Sequence, residues 1–219
     1  MIKRFISKYI IRRSPIGIWK KRAKQYGARA VLNIGHSIKQ IDAVTEMQKE
    51  EIFPFLKQLL TGHEKTVLDF GCGPGRFTGD LAQIIQGRAV GVDPIQHLLD
   101  LAKVKNHTNV EYRLMDEGVI PMENCSFDII WVCLVLGGII EENTLRRTVL
   151  EMKRVLKKRG LIVLIENTTE KESADYWRFR SVEEYQLIFD FVTLRHLSDY
   201  YDLGERVSIM AGRMNDDSP

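Results

Sequence analysis

From Lys65 onward the chain alternates short, nearly unbroken apolar runs with stretches in which apolar residues return every three or four positions. The runs at 65–70, 88–92, 109–113, 127–133 and 160–166 predict strands. Their uniformity (Ile129, Ile130, Trp131 and Val132 in one, 161–165 in another) implies a sheet covered on both faces. Between the last two runs, Leu145, Thr148, Val149, Met152, Val155 and Leu156 mark one helix face. Lys157, Lys158, Arg159 and Gly160 supply the expected stop. Strands alternating with helices predict an α/β fold, a Rossmann-like, doubly wound and mostly parallel sheet.

The flanks read differently. Before residue 61 the spacing is helical, with Ile52, Phe55, Leu56, Leu59 and Leu60 on one face and Pro54 expected to kink or restart the helix. After Glu166 a polar, aromatic stretch (167–180) leads to a helix opened by Ser181 and Glu184 at capping-box spacing, then to β-like runs at 191–197 and 206–213. The chain therefore divides into a helical N-terminal extension or lid, 1–60, and one α/β domain, 61–219.

Composition narrows the function classes. With 44% apolar and 28% charged residues this is an ordinary globular chain. No apolar run approaches the roughly 20 residues of a membrane helix. The N-terminal apolar stretches are broken by Lys and Arg and lack a small-residue cleavage site, which argues against a secretory signal. Cys72, Cys125 and Cys133 lack zinc-ligand spacing, and their odd number argues against a disulfide framework; a reducing cytoplasm fits. The five histidines are scattered, so no built-in metal site is expected. Charge is split: residues 1–41 hold eleven Lys or Arg and no acid, and the remainder holds 21 basic against 29 acidic residues. An apolar stripe (Ile2, Phe5, Ile6, Tyr9, Ile10) runs through this basic end. It suits an anionic membrane surface, placing the protein at the inner face of a membrane, or an acidic substrate.

The chemistry concentrates at 67–78, Val-Leu-Asp-Phe-Gly-Cys-Gly-Pro-Gly-Arg-Phe-Thr. A buried strand runs into alternate glycines and then a helix, the place where open α/β sheets bind nucleotides. Twenty-two residues after Gly71 the second strand ends in Asp93, placed to accept hydrogen bonds from ribose hydroxyls. Dinucleotide folds favour G-x-G-x-x-G, with a helix N-terminus facing pyrophosphate. Here the spacing is G-x-G-x-G, and Asp69 stands two residues before the first glycine. A carboxylate there repels pyrophosphate but suits a ligand bearing an ammonium and a sulfonium, which disfavours a nicotinamide oxidoreductase.

These residues resemble the first motif of the class I S-adenosylmethionine-dependent methyltransferases, D/E-x-G-x-G-x-G, and the resemblance extends over roughly 65–166. Gly91-Val92-Asp93-Pro94 is similar to the second motif, which implies that Asp93 binds the ribose and Pro94 packs near the adenine. Met115-Asp116-Glu117 is similar to the segment whose aspartate meets the adenine amino group. The strand ending at Cys133 resembles the one bordering the methyl donor. The resemblance thus implies S-adenosylmethionine as cofactor, yielding S-adenosylhomocysteine. Its implied binding residues are Asp69, Gly71, Cys72, Gly73, Gly75, Asp93, Pro94, Asp116, Glu117 and Cys133. Many small-molecule members carry His-His where this chain has Gly137-Gly138, which removes a general base and leaves room for substrate. Pro-Pro-Tyr-like and Pro-Cys sequences are absent after the fourth strand, which disfavours planar amides and pyrimidine carbon-5.

A base is needed only for an acceptor proton of high pKa. Glu166, at the end of the fifth predicted strand, and His36 are the candidate catalytic residues. Trp19, Tyr176, Trp177 and Arg180 are the candidate substrate contacts, since aromatics interleaved with arginine suit a ring or sugar face bearing an anion. The expected function is methyl transfer to an oxygen or nitrogen of a small molecule or saccharide. The alternatives are an RNA methyltransferase, disfavoured because no RNA-binding module is recognisable, and a non-catalytic methyltransferase-like binding protein.

Overall fold

The computed structural model describes residues 15–33, 35–105 and 107–215. The apolar stripe from Ile2 to Ile10 lies outside them. Seven strands form one sheet: β1 (Thr66–Phe70), β2 (Arg88–Asp93), β3 (Val110–Leu114), β4 (Phe127–Cys133), β5 (Leu156–Asn167), β6 (Arg195–Asp202) and β7 (Glu205–Arg213). Their order is β3-β2-β1-β4-β5-β7-β6. The first five run parallel, while β7 pairs antiparallel with both β5 and β6. The order reverses between β1 and β4, and that switch point leaves a crevice above the carboxyl ends of the strands.

Both faces are covered, as the unbroken apolar strands require. Successive β4 residues alternate sides: Ile130 and Val132 join the core containing Phe70, Leu145 and Tyr185. Ile129 and Trp131 join the core containing Ile52, Leu56 and Phe77. Trp131 is fully buried, its ring 5.9 Å from that of Phe53 and 5.7 Å from that of Phe77.

The helices are α1 (Pro15–Tyr26), α2 (Ile41–Leu59), α3 (Thr78–Ile84), α4 (Gln96–Lys103), α5 (Glu142–Val155) and α6 (Val182–Ile188). The Ser181–Glu184 capping box forms as its spacing predicts. Pro54 neither ends nor restarts α2, which runs through it. The carbonyl deprived of its partner belongs to Glu50, an exposed residue. The basic run 157–159 is not the end of a helix. α5 stops at Val155, and Leu156 already pairs with Phe127, because Leu156 is buried and Lys157 Nζ reaches Asp128 at 2.8 Å. The run at 191–197 is also displaced: Phe191, Val192 and Leu194 plug the core, and β6 starts at Arg195. β6 and β7 turn at Leu203-Gly204, both at positive φ (52° and 82°), the backbone of a tight two-residue hairpin.

α1 and the turn after it roof the crevice, while α2 covers one face of the sheet. Ala23, Ala30, Trp19 and Val31 pack on Ile95 and Leu98 of the α4 side, and Ile52 and Leu56 seal the sheet below. Leu56→Ala should cost about 2–5 kcal/mol in chemical denaturation. Leu187→Ala, at a position 80% exposed, should stay within about 0.5 kcal/mol.

Candidate active site

The loop after β1 is held against β2: the Gly71 and Cys72 N–H groups both donate to Val92 O, at 2.8 and 3.0 Å. Gly71 has φ +69°, and a Cβ there would come within 2.6 Å of the Val135 side chain. Only glycine satisfies both conditions. Asp93, at the end of β2, is buried and accepts from Gly73 N–H at 3.0 Å and Ile95 N–H at 2.8 Å. Burial pushes its carboxyl up to about 6, opposed by those two N–H groups. Each of its oxygens keeps a lone pair for a ligand hydroxyl.

Asp69 is 3% exposed and accepts one neutral hydrogen bond, from Thr78 Oγ1 at 2.6 Å. Burial pushes it up to about 7. A buried carboxylate without a bound cation is unfavourable, and a cationic ligand group relieves it. Arg76 lies nearby, donating from Nη2 to Gln48 Oε1 at 2.5 Å while its buried Nη1 has no partner.

A cavity of about 430 Å³ opens above these residues. Of the residues that the family motifs single out, Asp69, Gly71, Cys72, Asp93, Pro94, Glu117 and Cys133 line it. Gly73, Gly75 and Asp116 are not on its wall. Gly73 and Gly75 shape the loop from behind, facing Val31 and Tyr112 respectively. Asp116 is exposed in a turn closed by Val119 N–H on its carbonyl, so Met115 and Glu117 take the wall instead. Cys133 is a neutral thiol, its pKa pushed up to about 12 by burial.

Neither candidate base reaches the cavity. Glu166 is fully buried, and Oε1 accepts from the N–H groups of Val135 (2.9 Å) and Leu136 (2.8 Å), while Oε2 faces that of Gly137 at 3.4 Å. It fixes the β4–α5 loop. His36 is buried with Nε2 donating to Asp202 Oδ1 at 2.5 Å, and Asp202, not His36, is on the wall. Arg180 is likewise not on the wall. It is 2% exposed and donates to Leu136 O at 2.9 Å and Ile139 O at 3.0 Å, tying down the same loop.

Trp19, Tyr176 and Trp177 do converge on the cavity, with the Trp19 ring 6.2 Å from each of the other two. They explain Gly137-Gly138. A Cβ at Gly137 would come within 2.3 Å of the Trp177 indole, and one at Gly138 within 3.1 Å of Trp19. The space left by the missing side chains is filled by aromatic rings. Residues not singled out from the sequence also line the wall: Arg22, Arg76, Ile95, Asp202 and Glu205. Arg76 was legible as the first residue after the glycine loop. The hairpin acids carry no local signal.

Residues 67–160 match the model of a methyltransferase-domain family. A demethylmenaquinone methyltransferase of Lactococcus lactis is 30% identical over 109 residues, 47% of this chain and 42% of the relative. The matched stretch spans between a third and about half the length of the curated relatives. Among solved structures, an S-adenosylmethionine-dependent methyltransferase of Methanosarcina mazei superposes with a TM-score of 0.63 at 15% identity, covering 74% of this chain and 97% of that one. Phosphoethanolamine N-methyltransferase 1 of Haemonchus contortus gives a TM-score of 0.69 at 15% identity, covering 95% of this chain and 50% of that one. The chain carries a methyltransferase domain. Its fold is that of the solved S-adenosylmethionine-dependent methyltransferases.

The residues present fit that donor. Asp69 lacks a cation and Arg76 Nη1 lacks an acceptor, the complement of a ligand bearing an ammonium and a carboxylate. Asp93 has free lone pairs for ribose hydroxyls. Ile95 and Met115 supply apolar wall for a base, with Glu117 beside them.

A group whose folded pKa is raised binds its proton more tightly in the folded state. The unliganded protein should therefore lose stability as pH rises from about 5 to about 7, where the unfolded carboxylates are already ionised. Asp69→Asn should flatten that slope in urea denaturation. S-adenosylhomocysteine affinity should run the other way, tightening up to about pH 7, because its ammonium needs the ionised Asp69. Calorimetry showing a flat profile for the native protein would remove Asp69 from the ligand's partners.

Proposed function

We propose that the protein transfers the methyl group of S-adenosylmethionine to an oxygen or nitrogen of a small molecule or saccharide. The observation that carries this reading is one continuous cavity, whose wall runs from Asp69 and Asp93 to Trp19, Tyr176 and Trp177. Its volume of about 430 Å³ lies in the range of small-molecule pockets. An aromatic wall suits a ring or sugar face, which favours a small acceptor over RNA.

The donor supplies a methyl group on a sulfonium, and the acceptor atom bonds to that carbon as the carbon–sulfur electron pair returns to sulfur. Holding acceptor and methyl in line supplies much of the acceleration. Asp69 holds the ammonium, Arg76 the carboxylate and Asp93 the ribose. α1 roofs the chamber and excludes water. Where the acceptor is a hydroxyl or an ammonium, its proton passes to Asp202, and His36 positions that carboxylate from behind. Glu205 is less suited, because Asn167 Nδ2 (2.7 Å) and Lys171 Nζ (2.9 Å) already engage its oxygens.

A methyl-transfer screen with labelled donor against metabolite, glycan and RNA fractions tests the reading. Label in RNA alone would overturn it, and S-adenosylhomocysteine binding without turnover on any fraction would make the protein a binding module. Asp93→Ala should weaken S-adenosylhomocysteine binding by about 1.5–3 kcal/mol in calorimetry. Trp177→Ala should lower turnover while leaving that affinity within about twofold, since the indole packs on the β4–α5 loop and not on the glycine loop.

A further inference from the structure

The geometry points to an anionic group on the acceptor, a carboxylate or a phosphate, bound by Arg22 where α1 meets the aromatic wall. This rests on the methyltransferase reading and names the acceptor's class within it.

Arg22 lines the cavity with its guanidinium 5.2 Å from the Trp19 ring centre. Nη2 donates to Leu32 O at 2.6 Å, which fixes the orientation of the fork. Nε is buried and has no hydrogen-bond partner, and among the described residues no carboxylate pairs with this arginine. Burial lowers the pKa of the guanidinium, with Tyr176 acting the other way. Beyond the Trp19 ring, the buried Trp177 Nε1 also lacks a partner, but it faces Gly137. An unsatisfied N–H on a cation at the cavity wall calls for an oxygen atom, and for an anionic one.

Of the acids on the wall, the two of the hairpin already hold partners. Asp202 accepts from His36, and Glu205 from Asn167 and Lys171. Neither hairpin acid therefore neutralises Arg22. In the donor reading Arg76 takes the donor's carboxylate, and the two arginines have different neighbours. Asp69 is among the groups acting on Arg76, whereas those acting on Arg22 are Tyr176, Arg29 and Tyr26. Trp19, under the guanidinium, also packs against Gly138 and the rings of Tyr176 and Trp177, so the anion sits at the edge of an aromatic floor. That arrangement suits a flat or compact acceptor carrying its charge a short distance from the methylated atom.

The test uses the full chain saturated with S-adenosylhomocysteine, titrated with inorganic phosphate, benzoate and the neutral benzyl alcohol, with thermal unfolding and calorimetry as readouts. Phosphate or benzoate should bind saturably, and whichever binds tighter identifies the acceptor's anion. Arg22→Met should weaken that binding about ten- to a hundredfold, and Arg22→Lys less, while S-adenosylhomocysteine affinity stays within about twofold. Absence of saturable anion binding to the native protein would overturn the proposal without needing a variant. So would tighter binding of benzyl alcohol than of benzoate. An equal loss of S-adenosylhomocysteine affinity in Arg22→Met would assign the arginine to the donor instead. Failure of the native protein to bind S-adenosylhomocysteine would sink the donor reading itself, a result separable from all of these.

Discussion

Three backbone N–H groups, of Val135, Leu136 and Gly137, converge on one buried carboxylate, Glu166, and the aromatic side of the chamber is built on that contact. β4 and β5 are neighbours in the sheet, so an acid at the end of one can reach the loop leaving the other. Burial pushes Glu166 up to about 7 while the three N–H groups oppose it, so its charge is tolerated only because the loop wraps it. Arg180 completes the arrangement from the far side by taking the carbonyls of Leu136 and Ile139. With the loop pinned, Gly137 and Gly138 present bare backbone to Trp177 and Trp19, and the aromatic wall follows.

The donor side obeys a different constraint. Asp69 and Asp93 stand at the ends of adjacent strands, both buried and both raised in pKa. Among the described residues no cation forms a salt bridge with Asp69. Arg76 and Arg22 are buried or half-buried without carboxylates. Charges of opposite sign thus line one chamber without direct ion pairs, Arg76 near Asp69 and Arg22 apart from both, and each is costly until a ligand fills it. A binding site accounts for this pattern better than a folding requirement, which would have paired the charges directly. The N-terminal helices matter here because they supply Trp19 and Arg22, and they close the roof through Ala23, Ala30 and Val31.

Much of the fold was legible because strands buried on both faces must be apolar throughout, and five such runs separated by helical spacing admit few topologies. The displaced elements lie where local pattern conflicts with packing. Lys157 and Lys158 read as a helix end yet extend β5, since burying Leu156 against Phe127 outweighs their preference. Phe191, Val192 and Leu194 read as a strand yet fill a gap in the core. In the site, Asp69 and Asp93 were legible because glycine spacing fixes the backbone around them. Glu166, His36 and Arg180 are polar residues near the right strand ends, but sequence does not say which way a side chain faces. Each turned out to hold a loop or another side chain.

The sequence by itself determined the parallel sheet, the strand–glycine–helix turn and the acid at the end of the second strand. These follow from periodicity and from backbone conformations that glycine alone adopts readily. Only the tertiary structure decided that Asp202 and not His36 faces the chamber, that Trp19 meets Tyr176 and Trp177, and that Arg22 is left without an anion. Those facts depend on contacts between segments more than a hundred residues apart, where pairing is set by how α1 and the β6–β7 hairpin close over the sheet and by which charges that closure buries.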